Sequence, residues 1–378
     1  MAKNKLSTTA TRRKFLGGAA VAGVATIAMP QVSRAQTVTL KMQGGWGATD
    51  ILNDYGKDYA AKVNEMGGGR LKIDYLNAGA IVKAFSVMDA TSSGVLDGNH
   101  SVPAYWYGKH RAASLFGTGP CYGTDASQFM GWFYYGGGPE LYNELTQKIL
   151  GLNVQGFYVF AMPTQPLGWF KKELKGPDDF KGMKYRTVGL ASNVMQAMGA
   201  SVAQLPGQEI LPAMEKGVIE AFEFNNPTSD MRFGAQDVAK YYYLGSYHQA
   251  SEAIEVVFNK TKWDSLAKEQ QQILRLAGQA ACSDDIWKAW DIYSRDLETL
   301  QTKHGVQVKR TSEAIFKDQL AAWDKVVTEI SADANQGAFI KKVLESQKAW
   351  GKRVGFYAIN NEADFKSDYE HYFGPMKV

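Results

Sequence analysis

The chemistry this chain can offer begins with Arg186 and with the segment Glu223-Phe224-Asn225-Asn226. A guanidinium keeps its charge in any surroundings, and its planar fork matches a carboxylate through two parallel hydrogen bonds. A carboxylate next to two amides supplies acceptors and donors for a cation or for the groups flanking an anion. The stretch joining them is RTVGLASNVMQAMGASVAQLPGQEILPAMEKGVIEAFEFNN. Residues 183–188 form a strand-like run ending at Arg186, and Gly189 turns the chain into an amphipathic helix over 191–198. Residues 201–205 alternate apolar and polar, which predicts a second strand. Residues 207–216 read as helix, Gly217 stands where a left-handed cap belongs, and 218–224 reads as a third strand. Strand, helix, strand, helix, strand is a doubly wound α/β pattern. Ligands bind beyond the carboxyl ends of such strands, where Arg186 and Glu223–Asn226 both lie. The same spacing also fits a surface arginine and an exposed strand end.

Other polar and aromatic candidates sit on predicted loops. Trp46 lies in Gln43-Gly44-Gly45-Trp46-Gly47, after a first strand over 38–42 and before a helix over 50–66. Tyr105, Trp106 and Tyr107 follow a strand and Pro103, where aromatic rings can line a cleft or pack between lobes. Gln165 lies in Met162-Pro163-Thr164-Gln165-Pro166, which reads as a crossover between two halves. His248 and Gln249 close the loop Gly245–Gln249, between an irregular to helical stretch over 230–243 and an apolar strand over 253–258. Catalytic signatures are missing: there is no G-x-S-x-G, H-E-x-x-H, C-x-x-C or G-x-G-x-x-G. The five histidines, His100, His110, His248, His304 and His371, show no metal-ligand spacing. From Trp263 onward the pattern is helical to the C-terminus, with a break over 304–310. There the stripe Trp287, Trp290, Tyr293 and Leu297 predicts core or lobe-spanning contact.

Composition places these elements in an exported protein of two lobes. Lys3, Lys5, Arg12, Arg13 and Lys14 precede a mildly apolar run over 15–29, and Thr11-Arg12-Arg13-Lys14-Phe15-Leu16 fits the twin-arginine export pattern. Ser33-Arg34-Ala35 suits signal peptidase, so the mature chain is expected from Gln36. Six of the 42 basic residues and none of the 38 acidic ones fall in residues 1–35. The remainder thus carries 36 against 38, a net charge of −2 instead of +4, and no basic surface for nucleic acid. About 340 mature residues exceed one compact core. Cys121 and Cys282 permit one disulfide, although their apolar neighbours favour two buried thiols.

Residues 210–224, ILPAMEKGVIEAFEF, resemble the signature of the solute-binding proteins of TRAP (tripartite ATP-independent periplasmic) transporters. In that family a strand-end arginine is followed by a helix, a Pro/Gly turn, an AL-x-x-G-x-I-x-A segment and an acidic or aromatic strand end. The resemblance runs over nearly the whole mature chain and is greatest for members that bind 2-oxo acids and lactate. It implies an α/β, two-lobe periplasmic-binding-protein fold (type II-like) with a cleft ligand site, a long lobe-spanning helix and a helical C-terminal region. Lobe I would comprise 36–165 and 225–262, and lobe II 166–224 and 263–310. Residues 311–378 would pack on lobe II or mediate a homodimer.

By the same resemblance, Arg186 pairs with a ligand carboxylate, and Gln165, Glu223 and the Phe224 carbonyl hold a cation. Two positions depart from the family pattern. A tryptophan is common where Phe224 stands, and a second glutamate is common where Gln249 aligns; a shift of three residues would bring in Glu252 instead. One carboxylate in place of two favours Na⁺ over Ca²⁺. Trp46 and Tyr105 would line the pocket, with Asn225 and His248 beside the carboxylate. One arginine facing one cation suits a small monocarboxylate with a 2-oxo or 2-hydroxy group, such as pyruvate or lactate. A dicarboxylate would want a second basic residue near these loops. The implied partners are the small and large membrane subunits of a sodium-driven permease, with no enzyme activity and no organic cofactor. The competing readings are a cofactor-free periplasmic enzyme acting on 2-oxo acids, a receptor for a dicarboxylate or aromatic acid, and a sensor partner.

Overall fold

The computed structural model describes Thr37 to Met376; the export signal and the expected cleavage site lie outside the described residues. Eleven strands form two mixed sheets. In chain order they are β1 Val38–Gly44, β2 Leu71–Leu76, β3 Gly98–Ser101, β4 Val154–Met162, β5 Gly168–Phe170, β6 Lys184–Arg186, β7 Ser201–Ala203, β8 Ala221–Phe222, β9 Tyr241–Leu244, β10 Glu252–Asn259 and β11 Gln307–Arg310. The first sheet runs β2-β1-β3-β10-β4 and the second β11-β9-β5-β8-β6-β7. β1 pairs in parallel with β2 and β3, whereas β10 lies antiparallel between β3 and β4. In the second sheet β6 is parallel to both β7 and β8, so three strand ends point the same way around Arg186.

The chain crosses between the sheets at residues 163–167, from β4 to β5, and at 245–251, from β9 to β10. These crossovers lie side by side: Gln165 N donates to Gln249 O at 3.1 Å, and Thr164 Oγ1 to Ala250 O at 2.9 Å. The helix Lys268–Thr302 makes a third connection. Its inward face is built from small residues, Ala277, Gly278, Ala281 and Ala289, which lets it lie close on β4. A Cβ on Gly278 would come within 3.0 Å of Phe157 and 3.2 Å of Val159.

Several elements differ from the sequence expectation. Residues 241–244 form a strand of the second sheet, not part of the first lobe. Tyr242 stacks on Trp169 of β5 with centroids 4.3 Å apart, a cross-strand pairing that outweighs the helical pattern running into it. Residues 307–310, read as a break, pair with that strand as β11. The long helix leans on the first-sheet side, where Tyr59 OH donates to Leu274 O at 3.2 Å and Lys62 pairs with Asp284 at 2.7 Å. Trp287 and Trp290 are 69% and 64% exposed, whereas Tyr293 is buried. The alanine face took the contact side of the helix and turned the tryptophans outward.

The C-terminal helices do not keep to the second lobe. The helix Glu313–Ser331 packs on Leu190–Ala197, and Gly337–Asn361 packs on Ala126–Tyr135 beside the first sheet. Indole N–H groups pin both: Trp323 donates to Tyr247 O at 2.6 Å and Trp350 to Gln128 O at 3.0 Å. Cys121 and Cys282 are unbridged, half-buried thiols.

Candidate functional site

Arg186 ends β6 with its side chain 1% exposed. It is held there because the chain must turn at once: Gly189, at φ 60°, would put a Cβ 2.5 Å from Ser114 Oγ, so only glycine fits. Ser114 Oγ in turn accepts from Leu190 N at 2.9 Å, anchoring the next helix. The guanidinium is engaged on three sides. Nε and Nη2 donate to Leu205 O at 2.9 and 2.7 Å, and Nη1 donates to Glu223 O at 2.7 Å and to Glu223 Oε1 at 3.0 Å. Of its five N–H groups, one on Nη2 is left over.

Glu223 is fully buried. Burial pushes its carboxyl up to about 7, although Arg186 pulls it down. Its second oxygen accepts from Gln165 Nε2 at 2.6 Å, and the same amide nitrogen donates to Phe224 O. A carboxylate oxygen and a backbone carbonyl thus converge on one amide N–H₂ group. Gln165 Oε1 is buried without a partner. Exchanging the two ends of that amide would bring three oxygens to one point, the donor set of a hard cation.

Glu252, at the start of β10, extends this set. Its Oε2 accepts from Thr118 Oγ1 and from Gln249 Nε2, both at 2.7 Å. Burial first, and then the charge of Glu223, pushes its carboxyl up to about 8. Gln249 Oε1 and Glu252 Oε1 are also buried without partners. Buried polar atoms are paired in nearly all folded proteins, so three unpartnered oxygens on or next to the two adjacent crossovers make this a candidate ligand site. Gln249, the residue aligned with the family's second glutamate, thus bonds Glu252, three residues further on. The signal in the sequence was a pair of acids, Glu252 and Glu255, in the apolar strand EAIEVVF.

The remaining candidates divide. Tyr105 lies within the fields of Arg186, Glu223 and Glu252, and burial pushes its hydroxyl well up. Trp46 stands against it with ring centroids 6.3 Å apart, and its Nε1 is buried without a partner. Asn225 turns to the neighbouring loop, its Nδ2 reaching Asp50 Oδ2 at 3.5 Å, and Ser229 Oγ donates to Asp50 Oδ1 at 2.8 Å. The sequence reading passed over Asp50, whose only mark was a helix-capping position. His248 Nδ1 meets Ser246 Oγ at 2.5 Å, and that hydroxyl accepts from Gln319 Nε2 at 2.7 Å. Ser246 Oγ also accepts from His248 N at 3.3 Å, and His248 Nε2 is buried without a partner. Burial holds His248 down at about 3.

Among the described residues one other acidic group, Asp58, Asp284 and Asp285, could face a metal ion, but Lys288 already sits between these carboxylates. No helix among the described residues is long and apolar enough to cross a membrane.

Residues 44–335 match the family model described as bacterial extracellular solute-binding protein, family 7. The chain is 32% identical over 369 residues to the monocarboxylate 2-oxoacid-binding periplasmic protein of Nostoc sp. (strain PCC 7120), covering 94% of this chain and 98% of that one. A TRAP periplasmic solute-binding protein from Colwellia psychrerythraea, solved with bound calcium and pyruvate, superposes with a TM-score of 0.80 at 28% identity, over 89% of this chain and 100% of that one. Another from Pseudoalteromonas atlantica T6c, with bound sodium and pyruvate, gives 0.77 at 29% identity, over 86% and 100%. The two-sheet fold, the match along most of the chain and the buried arginine beside a cluster of oxygen donors lead to one assignment: the chain belongs to the family 7 bacterial extracellular solute-binding proteins, the periplasmic receptors of TRAP transporters.

Proposed function

We propose that this chain captures a small 2-oxo or 2-hydroxy monocarboxylate, such as pyruvate or lactate, in the cleft between its two sheets. It would then hand the anion to the two membrane subunits of a sodium-driven TRAP permease. The observation that carries this reading is the buried Arg186–Glu223–Gln165 group with its unpartnered Gln165 Oε1. Arg186 would bind the carboxylate. Gln165, Glu223 and Phe224 O, with Glu252 behind Gln249, would hold a hard cation that also meets the 2-oxygen of the ligand. The second carboxylate brings calcium level with the sodium that a single one would favour. The relatives solved with pyruvate and either metal support this.

The arginine and the cation site are coupled through Glu223. Its Oε1 occupies one N–H of Nη1. A cation drawing Glu223 toward itself frees that N–H, which lies beside the spare one on Nη2, and the fork can then take a carboxylate bidentately. Cation and anion should therefore each strengthen the other's binding by the same factor. Trp46 and Tyr105 would close the cleft from the first lobe, and His248 would offer Nε2. We propose binding without turnover, the role of the receptor family the chain belongs to, in a periplasm reached by the twin-arginine route. The exposed Phe365, Tyr369, Tyr372 and Phe373 of the last helix support a homodimer.

Calorimetric titration of the chain from Gln36 with pyruvate, lactate, 2-oxobutyrate, succinate and an amino acid, with and without chelator and sodium, tests the reading. Tight binding of a 2-oxo or 2-hydroxy monocarboxylate that metal removal weakens, with the acid recovered unchanged, is expected. Binding confined to a dicarboxylate and indifferent to metal would overturn it.

A further inference from the structure

Polar contacts tie the first-sheet side of the cleft to the second-sheet side. The helix Ile51–Met66 belongs to the first: its Asn53 Nδ2 donates to Asn77 Oδ1, just beyond β2, at 3.1 Å. The helix Pro227–Phe233 belongs to the second. Trp169 Nε1 of β5 donates to its Asp230 Oδ2 at 2.8 Å, and the rings of Phe222 and Phe233 lie 5.8 Å apart. Between these two helices Ser229 Oγ donates to Asp50 Oδ1 at 2.8 Å. Arg232 Nη1 donates to Asp54 Oδ2 at 2.8 Å and to Thr49 O at 3.3 Å. At a separate place Tyr107 OH donates to Asn193 Oδ1 at 2.8 Å. Tyr107 is fixed to the first sheet by its neighbour Trp106, whose Nε1 donates to Glu255 of β10, and Asn193 lies on the helix Leu190–Ala197 that follows β6.

These contacts are of a kind that can be broken and remade. Arg232, Asp54, Tyr107 and Asn193 all reach solvent, so water replaces each partner when a pair separates. A space of about 370 Å³ lies between the same two sides, walled by Trp46, Gly47 and Asp50 from one and by Gln208, Leu211 and Phe233 from the other. Sides that meet across open space through hydrogen bonds part without exposing a packed core. Arg232 faces two acids, Asp50 and Asp54, so its charge draws the sides together.

We infer that Ser229, Arg232 and Tyr107 are positioning residues that latch the lobes: they act on affinity through closure and not through contact with the acid. The inference rests on the reading of the chain as a receptor that closes on its ligand. Apparent affinity scales with the fraction of molecules in the binding-competent arrangement. Loss of a latch therefore weakens every acid by one common factor, and chiefly speeds release. The bond to the buried Asp50 carboxylate is worth about tenfold or more, and the neutral Tyr107–Asn193 bond about threefold. The solvent-facing ion pair is worth up to about fivefold.

The test measures stopped-flow release of pyruvate and of lactate, each with calcium, and small-angle X-ray scattering without ligand. The proteins are the wild type, Tyr107→Phe, Ser229→Ala, Arg232→Asp, and Arg232→Asp combined with Asp54→Arg. Tyr107→Phe and Ser229→Ala each remove one oxygen and should speed release of both acids about three- and tenfold, leaving the ratio of the two affinities unchanged. Arg232→Asp sets a third acid against Asp50 and Asp54, so its radius of gyration should exceed that of the wild type, and the combined reversal should restore it. A wild-type radius and wild-type release in Arg232→Asp would overturn the ion-pair latch. Unequal changes for pyruvate and lactate in Tyr107→Phe or Ser229→Ala would overturn the closure role and make these residues ligand contacts. If the wild type binds neither acid, the proposed function falls, and the scattering comparison still decides the latch.

Discussion

Replacing Glu223 by Gln should stabilise the protein and impair its binding at the same time. The wild-type carboxyl is fully buried and raised from 4.5 to about 7. A tenfold change in proton affinity is worth about 1.4 kcal/mol, so keeping the group ionised at pH 8 costs the fold about 3 kcal/mol, falling to roughly 1 kcal/mol at pH 5.5. Gln keeps the shape and still accepts from Arg186 Nη1. Its new N–H₂ would face the Gln165 amide, which can turn its orphaned Oε1 to meet it. Thermal melts of both forms without ligand should show the variant melting higher by several degrees at pH 8, and by less at pH 5.5. In calorimetry the loss of a charged oxygen from the cation set should weaken the monocarboxylate about ten- to a hundredfold. Wild-type affinity in the variant would refute the role of Glu223. A melting difference that does not change with pH would refute the burial argument.

Three further outcomes are expected. Arg186→Ala leaves Glu223 buried without its partner and should cost about 3–5 kcal/mol in ligand affinity as well as stability. Arg186→Lys separates the two effects, keeping the charge and losing the fork, so wild-type calorimetric affinity in both variants would end the carboxylate assignment. The ligand-free protein should also lose stability as pH rises from about 5 to about 8. Glu223, Asp230, Glu252 and Glu255 are raised to about 7, 7, 8 and 7, so the folded state holds protons that the unfolded state has released. Below 6.5 the slope should be shallower but keep its sign, because His100 and His248, both held down at about 3, resist protonation only when folded and offset part of what the acids contribute; a melting temperature that climbs through pH 8 would contradict this. Finally, light scattering should give a dimer mass that falls to the monomer on Tyr372→Lys with Phe373→Glu. A monomer mass for the wild type would remove the homodimer.

Much of the candidate site was legible because its parts lie at strand ends. Arg186, Gly189 and Glu223-Phe224 occur within one strand–helix–strand–helix–strand unit, whose period and glycine turns can be read locally. β6 and β8 are much shorter than the runs that predicted them, three and two residues, but they end at the expected chemistry. Gln165 was legible as part of a proline-flanked crossover. Glu252 was harder, because nothing in EAIEVVF says which acid faces a neighbour. That is decided by the antiparallel register of β10 on β4, which sets Glu252 opposite Met162, next to the crossover that carries Gln165.

The amino-acid sequence alone therefore determined the α/β class, the two-lobe plan, the strand-end arginine and the oxygen-rich partner segment, since each depends on periodicity or turn chemistry within a few dozen residues. The tertiary structure decided that Tyr241–Leu244 belongs to the second sheet, that Trp287 and Trp290 face outward, that the C-terminal helices brace both sheets, that Glu252 bonds Gln249 and that Asp50 bonds Asn225 and Ser229. Those outcomes depend on which of two compatible faces finds the better partner. Such a choice is made by pairing and packing across a hundred or more residues, and local pattern carries no record of it.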